Sequence, residues 1–125
     1  MKKNKYKNKK VEVDGILFDS KREAEHWIYL CNLMDAGIIT ELDRQVEFEL
    51  LPAQFEFDTV GVRGGKQKGK CIERKVKYIA DFVYKDQLGQ TVVEDVKGYT
   101  RHKPEYILKR KMLLFFHGIR IKEVL

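Results

Sequence analysis

Residues 75–98, KVKYIADFVYKDQLGQTVVEDVKG, decide the fold. Two β-rich runs, 75–85 and 91–98, flank DQLGQ, which predicts an antiparallel hairpin with Gly89 in its turn. A three-residue loop, Gln87-Leu88-Gly89, ends on a left-handed residue, a conformation glycine accepts without strain. Asp86 then opposes Gln90, and counting back sets Asp81 opposite Asp95; a four-residue loop would set Asp81 against Glu94. Side chains alternate along a strand, so Val93, Asp95 and Lys97 share one face and Val92, Glu94 and Val96 the other. In the preceding strand Ile79, Asp81 and Val83 share a face. The three-residue register gathers Asp81, Asp95 and Lys97 into one patch.

Two carboxylates facing each other across a sheet repel, and burial raises the cost. A shared proton, Lys97 or a divalent cation offsets it. Mg²⁺ suits the patch best, because it takes one or two protein carboxylates, keeps several waters and accepts phosphate oxygens. Lys97 is then free to hold and polarise a water for attack on phosphorus.

Working outward, VEVDGILF at 11–18 reads as a short hairpin turning at Asp14-Gly15. A helix follows, with Ser20 as N-cap, Glu23 as the third residue of a capping box and Gly37 as the stop. Ala24, Trp27, Ile28, Cys31 and Met34 recur at helical spacing, with Leu30 and Leu33 widening the stripe. Glu23 has two readings: the capping box alone, or a carboxylate on the Trp27 and Leu30 edge that reaches a cation at the sheet. ITELDRQVEFELL at 39–51 alternates after Arg44, with Val46, Phe48 and Leu50 against Gln45, Glu47 and Glu49, as a half-buried strand does. GVRGGKQKGK at 61–70 reads as a mobile, glycine-rich basic loop. Pro104 opens a second helix, Gly118 ends it, and IRIKEV at 119–124 closes as a strand parallel to the 91–98 strand. The expectation is an α/β fold, a mixed central sheet flanked by helices.

The 125 residues suit one domain, residues 11–125, behind a disordered arm at 1–10. No apolar run approaches the roughly 20 residues that span a bilayer. No secretory leader is visible, so the expected place is the cytoplasm. Cys31, Cys71, His26, His102 and His117 are scattered without zinc-site spacing, and Cys31 reads as a small core residue. Charge is polarised along the chain. Residues 1–10 hold six lysines and no acid, residues 11–60 hold 12 acids and three bases, and residues 61–125 hold 16 bases and seven acids. That distribution points to a polyanionic partner.

Glu23 on the first helix, Asp81 on a strand and Asp95-Val96-Lys97 on the next resemble the PD-(D/E)XK nuclease superfamily. Its core, a helix, three strands, a helix and a strand (αβββαβ, restriction-endonuclease-like), matches the order read above. More narrowly, FDSKREAEHW, YIADFVY and VVEDVKGYT look like small phage- and prophage-encoded members, some Holliday-junction resolvase-like. The nuclease subunit of Tn7-type transposition has a similar layout. Ala80 stands where the name-giving proline would be, and Asp95 takes a place often held by glutamate. Glu94 lies beside it, and strand parity favours Asp95.

The resemblance implies a metal-dependent DNA endonuclease leaving a 5′-phosphate and a 3′-hydroxyl. Asp81, Asp95 and the Val96 carbonyl would hold Mg²⁺ or Mn²⁺, Glu23 would bind directly or through water, and Lys97 would position the attacking water. Lys109 on the second helix would touch phosphate. Electrostatic DNA binding is expected from Lys2, Lys3 and Lys5, from Arg63, Lys66, Lys68 and Lys70, and from Arg101 and Lys103. No helix looks like a base-reading element, so the expected substrate is DNA of a given shape, a branch or Holliday junction. Cutting both strands would require a homodimer. The competing readings are a non-catalytic nucleic-acid-binding protein on the same fold and an assembly factor whose basic arm meets a protein.

Overall fold

The computed structural model describes residues 9–97 and 103–125. The chain begins with the expected hairpin, β1 (Val11–Val13) and β2 (Ile16–Phe18). Its turn holds Asp14 and Gly15 at φ 51° and 79°, the paired left-handed conformation of a tight two-residue turn. Helix α1 (Lys21–Asp35) starts where Ser20 Oγ accepts the Glu23 N–H at 3.1 Å. It stops at Gly37, φ 75°, where the Ile38 N–H returns to the Leu33 carbonyl at 2.9 Å.

Strand β3 (Thr40–Leu51) follows, then four short strands, β4 (Gln54–Phe55), β5 (Thr59–Val60), β6 (Lys66–Gln67) and β7 (Cys71–Glu73). Next come β8 (Val76–Lys85), β9 (Thr91–Val96), helix α2 (Pro104–His117) and β10 (Lys122–Val124). The architecture is mixed α/β: two helices and a four-stranded mixed sheet in the order β10-β9-β8-β3. Strands β3, β8 and β9 are antiparallel neighbours, and β10 lies parallel to β9. Pro104 at the start of α2 and Gly118 at its end, φ 67°, are the expected punctuation.

The core has two layers, one on each face of the sheet. Under α1, Phe18, Ala24 and Leu30 pack on Phe82 and Tyr84. Under α2, Leu113 and Ile121 pack on Tyr78, Ala80 and Val93. Two expectations need correction. Ile28 and Met34 are exposed and Cys31 is only half-buried, so the packed stripe of α1 runs through Ala24, Trp27, Leu30 and Leu33. The basic stretch 61–70 is not a plain loop: β5 pairs with β6 and β4 with β7, forming a two-part ribbon outside the main sheet. Among the described residues no helix is long and apolar enough to cross a membrane.

Candidate functional site

The β8–β9 turn sets the site. The Asp86 N–H bonds the Gln90 carbonyl at 2.9 Å, the Gly89 N–H bonds the Asp86 carbonyl at 3.0 Å, and Gly89 takes φ 76°. The ladder then pairs Tyr84 with Val92 and Phe82 with Glu94, so one further step brings Asp81 level with Asp95. The register follows the three-residue loop.

A second feature aims Asp81. Along β8, Tyr78 and Ala80 lie in the layer under α2, whereas Phe82 and Tyr84 lie in the layer under α1. The two-residue alternation therefore changes phase between Ala80 and Phe82. Strand β3 does the same: Leu42 packs under α1, and Phe48 and Leu50 under α2. Gln45 sits at the phase change with φ 53°, between the pairs Arg44–Phe82 and Val46–Ala80, and so faces Asp81 across the ladder. A left-handed residue inside an extended strand rotates the side chains that follow it to the other face. Asp81 stands where the two layers meet.

The carboxylates converge there. The Val96 N–H donates to Asp81 Oδ2 at 2.8 Å, and Asp95 stands beside Asp81 on the neighbouring strand. Burial first, then the charges of Asp95 and Glu23, work against the Val96 N–H bond and push Asp81 up to about 7. Asp95, 8% exposed, accepts the Tyr78 hydroxyl at 2.5 Å and pairs with Lys97 Nζ at 3.3 Å. Burial, then the bond to Asp95, drives the Tyr78 phenol far above its ordinary range, so it stays protonated and donates. Glu23, 6% exposed, points into the site and accepts Gln45 Nε2 at 3.3 Å. Burial, then the charge of Asp19, raises its pKa; Asp95 adds to the rise, and Arg44 opposes it. Glu23 thus uses its backbone for the helix cap and its carboxylate for the site.

Lys97 is held from the α2 side. Its Nζ lies over the Tyr106 ring, 3.2 Å from the centroid, a cation–π contact. The Tyr106 hydroxyl donates to Glu123 Oε1 at 2.8 Å, and Arg110 reaches the same oxygen at 2.9 Å. Glu123 stands level with Asp95 on β10. A cleft of about 300 Å³ opens between Tyr78 and Tyr106, rimmed by Lys77, Lys103 and Lys109. Lys109 is paired to Glu105 at 2.9 Å within α2 and lies at the cleft's edge.

Glu94 is turned away from this patch, as strand parity requires. It is almost fully buried under α1, where it receives the Tyr84 hydroxyl and lies 2.6 Å from His26 Nε2. Burial alone would raise its pKa, but the His26 and Tyr84 bonds outweigh it and hold Glu94 below the ordinary glutamate range. Its partners tie α1 to the sheet, so Asp95 is the carboxylate beside Asp81.

Arg63, Lys66, Lys68 and Lys70 all lie on the ribbon, and Lys103 immediately precedes α2. Lys2, Lys3, Lys5 and Arg101 fall outside the described residues. Tyr78 and Tyr106 carry no motif; their only signal in sequence is aromatic placement in a strand and a helix, which ordinary packing equally explains.

Asp81, Asp95 and the Val96 backbone are a donor set suited to Mg²⁺, which needs only one or two carboxylates and completes its shell with water. Among the described residues no group of three or more His, Cys, Asp or Glu is drawn together tightly enough to hold an ion as it stands.

Residues 3–122 match the family described as "Protein of unknown function (DUF1064)", and the chain belongs to that family. No curated protein and no solved structure matches it.

Proposed function

We propose that this DUF1064 member is a metal-dependent DNA endonuclease of the PD-(D/E)XK type, with a restriction-endonuclease-like core and a preference for branched DNA. One observation carries the reading: Asp81 stands beside Asp95, with Lys97 paired to Asp95 at 3.3 Å, and burial, then the charges of Asp95 and Glu23, push Asp81 up to about 7. A folded protein that keeps such repulsion is holding a site for something positive.

Asp81, Asp95 and the Val96 carbonyl would hold Mg²⁺ or Mn²⁺, with Glu23 reaching it through water. The bound ion would supply Lewis-acid stabilisation of charge on the phosphate oxygens. The chain's own residues do the rest. Tyr78 fixes the rotamer of Asp95 through its hydroxyl. Tyr106 confines the Lys97 ammonium beside Asp95. Lys97, which pairs with Asp95 at 3.3 Å, would hold a water in line with the phosphorus. The water oxygen bonds phosphorus, the bond to the 3′ oxygen breaks, and the water's proton passes to solvent while the 3′ oxygen takes one up. Lys77, Lys103 and Lys109 around the neighbouring cleft offer charge to adjacent phosphates.

The test is nicking of supercoiled plasmid with Mg²⁺. The parent should nick and Asp95→Ala should lose at least about 100-fold of the rate, the scale of removing one charge-stabilising group. Equal nicking by both proteins refutes the assignment, as does absence of nicking by the parent with Mg²⁺ or Mn²⁺ on plasmid, flaps and junctions.

A further inference from the structure

The ribbon Gln54–Glu73 has no core of its own: none of its residues is buried. It nonetheless exposes Phe55, Phe57, Val60, Val62 and Ile72. Phe57 is the most exposed of the aromatic residues there, at 95%, and its neighbours' backbones are bonded across the ribbon. On one side the Glu56 N–H bonds the Lys70 carbonyl at 2.8 Å; on the other Asp58 Oδ1 accepts the Gly69 N–H at 2.9 Å. The two chains pass so closely there that a Cβ on Gly69 would lie 1.7 Å from the Glu56 carbonyl oxygen. A large aromatic ring is thus presented to solvent on a braced backbone, between Glu56 and Asp58 and with the backbone of Gly69 and Lys70 passing alongside.

We propose that this ribbon is a wedge that stacks Phe57 on an unpaired base of branched DNA while its cations grip the flanking phosphates. The choice of DNA rests on the endonuclease reading. The ribbon carries four cations, Arg63, Lys66, Lys68 and Lys70, against Glu56, Asp58 and Glu73, and the cations are gathered in its outer part from Thr59 to Ile72, which holds no acid. Lysine is depleted in the centres of protein–protein interfaces, whereas exposed apolar wedges set among cations are what duplex-distorting proteins use. Every base offers a π-face, so stacking reads an opened stack and not a sequence. Placement agrees with this. The ribbon springs from the end of the β3–β8 pair at Leu51 and Val76. At ~3.4 Å per residue along β8 its root lies ~17 Å from Asp81, within one turn of a duplex. The wedge would find the branch, and the carboxylates would face the duplex beside it.

The test uses the full chain, in EDTA so that nothing is cut, with labelled flap DNA and a matched blunt duplex at one salt concentration. Anisotropy gives affinity, and 2-aminopurine at the branch reports stacking through its quenching. Phe57→Ala should weaken flap binding about tenfold, spare the duplex within about twofold and abolish the quench. Phe57→Trp should restore all three. Phe57 is solvent-exposed, so equal melting temperatures are expected and verify folding. No effect on the flap, or equal loss on flap and duplex, overturns the wedge. A parent that is dimeric by light scattering with a monomeric Phe57→Ala also overturns it, since a second copy would then cover the ribbon. The two readings separate cleanly: a parent that stacks on the flap but never nicks plasmid keeps the wedge and loses the nuclease. A parent that nicks while Phe57→Ala binds unchanged does the reverse.

Discussion

Replacing Asp81 by asparagine should stabilise the metal-free protein while abolishing cleavage. Asparagine keeps an oxygen for the Val96 N–H and turns a neutral amide toward the neighbouring Asp95. What it removes is a charge that burial and two neighbouring carboxylates disfavour. An aspartate moved from its ordinary 3.8 to about 7 represents a ceiling of roughly 4 kcal/mol against the ionised form. Water entry and side-chain relaxation reduce this, and about 2 kcal/mol is the expected gain at pH 8. For a chain of this size that is roughly 8 °C in Tm. The sign follows from proton linkage. The folded state holds the Asp81 proton up to about 7 and the unfolded chain releases it near 3.8. Asp81 therefore costs the parent nothing below that lower value, costs progressively more as pH rises between the two, and costs a constant amount above about 7. Scanning calorimetry of parent and Asp81→Asn in EDTA from pH 4 to pH 8.5 should show curves that nearly coincide at pH 4, separate as pH rises to about 7 and run parallel above it. Adding Mg²⁺ at pH 8 should raise the parent's Tm and leave the variant's nearly unchanged. A variant less stable than the parent at pH 8, or a gain independent of pH, refutes the account of a crowded carboxylate site.

Tyr78→Phe removes the hydroxyl that fixes Asp95 without changing the ring. Nicking should fall about 10- to 100-fold, with Tm lowered by no more than a few degrees, the scale of one charge-assisted hydrogen bond. Glu94→Gln breaks the buried contact with His26 and should cost about 3 kcal/mol in urea unfolding at pH 7. Because Glu94 is held below the ordinary glutamate range, its contribution is present above that range and lost as pH falls through its folded value, so the penalty should shrink toward pH 3. Gly69→Ala forces the ribbon's two chains apart. It should weaken flap binding as Phe57→Ala does, while nicking of plain duplex and the Tm of the main domain change little.

Local chemistry determined more of the fold than of the site. A turn of known length ending in Gly89 sets the register of β8 on β9, and with it the level of Asp81 against Asp95, because hairpin pairing is governed by bonds only a few residues apart. Ser20, Gly37, Pro104 and Gly118 bound the helices for the same reason: each end is closed by a residue whose own backbone or side chain does the closing. The parity that separates Asp95 from Glu94 is equally local. Four things were decided only by the chain meeting itself at long range. The phase change at Gln45 and Asp81 takes two strands that share one twist, and no periodicity in either strand alone announces it. Tyr78 and Tyr106 become partners of Asp95 and Lys97 only when α2 is laid over the sheet, since a tyrosine in sequence carries no mark of where its hydroxyl ends. Glu94 finds His26 68 residues away, and residues 61–70 become part of a ribbon because the Glu56 N–H bonds the Lys70 carbonyl and Asp58 Oδ1 accepts the Gly69 N–H across it. Alternation, caps and turns act over a few bonds and can be read from residue order; the identity of a buried group's partner depends on which surfaces close upon each other, and only folding supplies that.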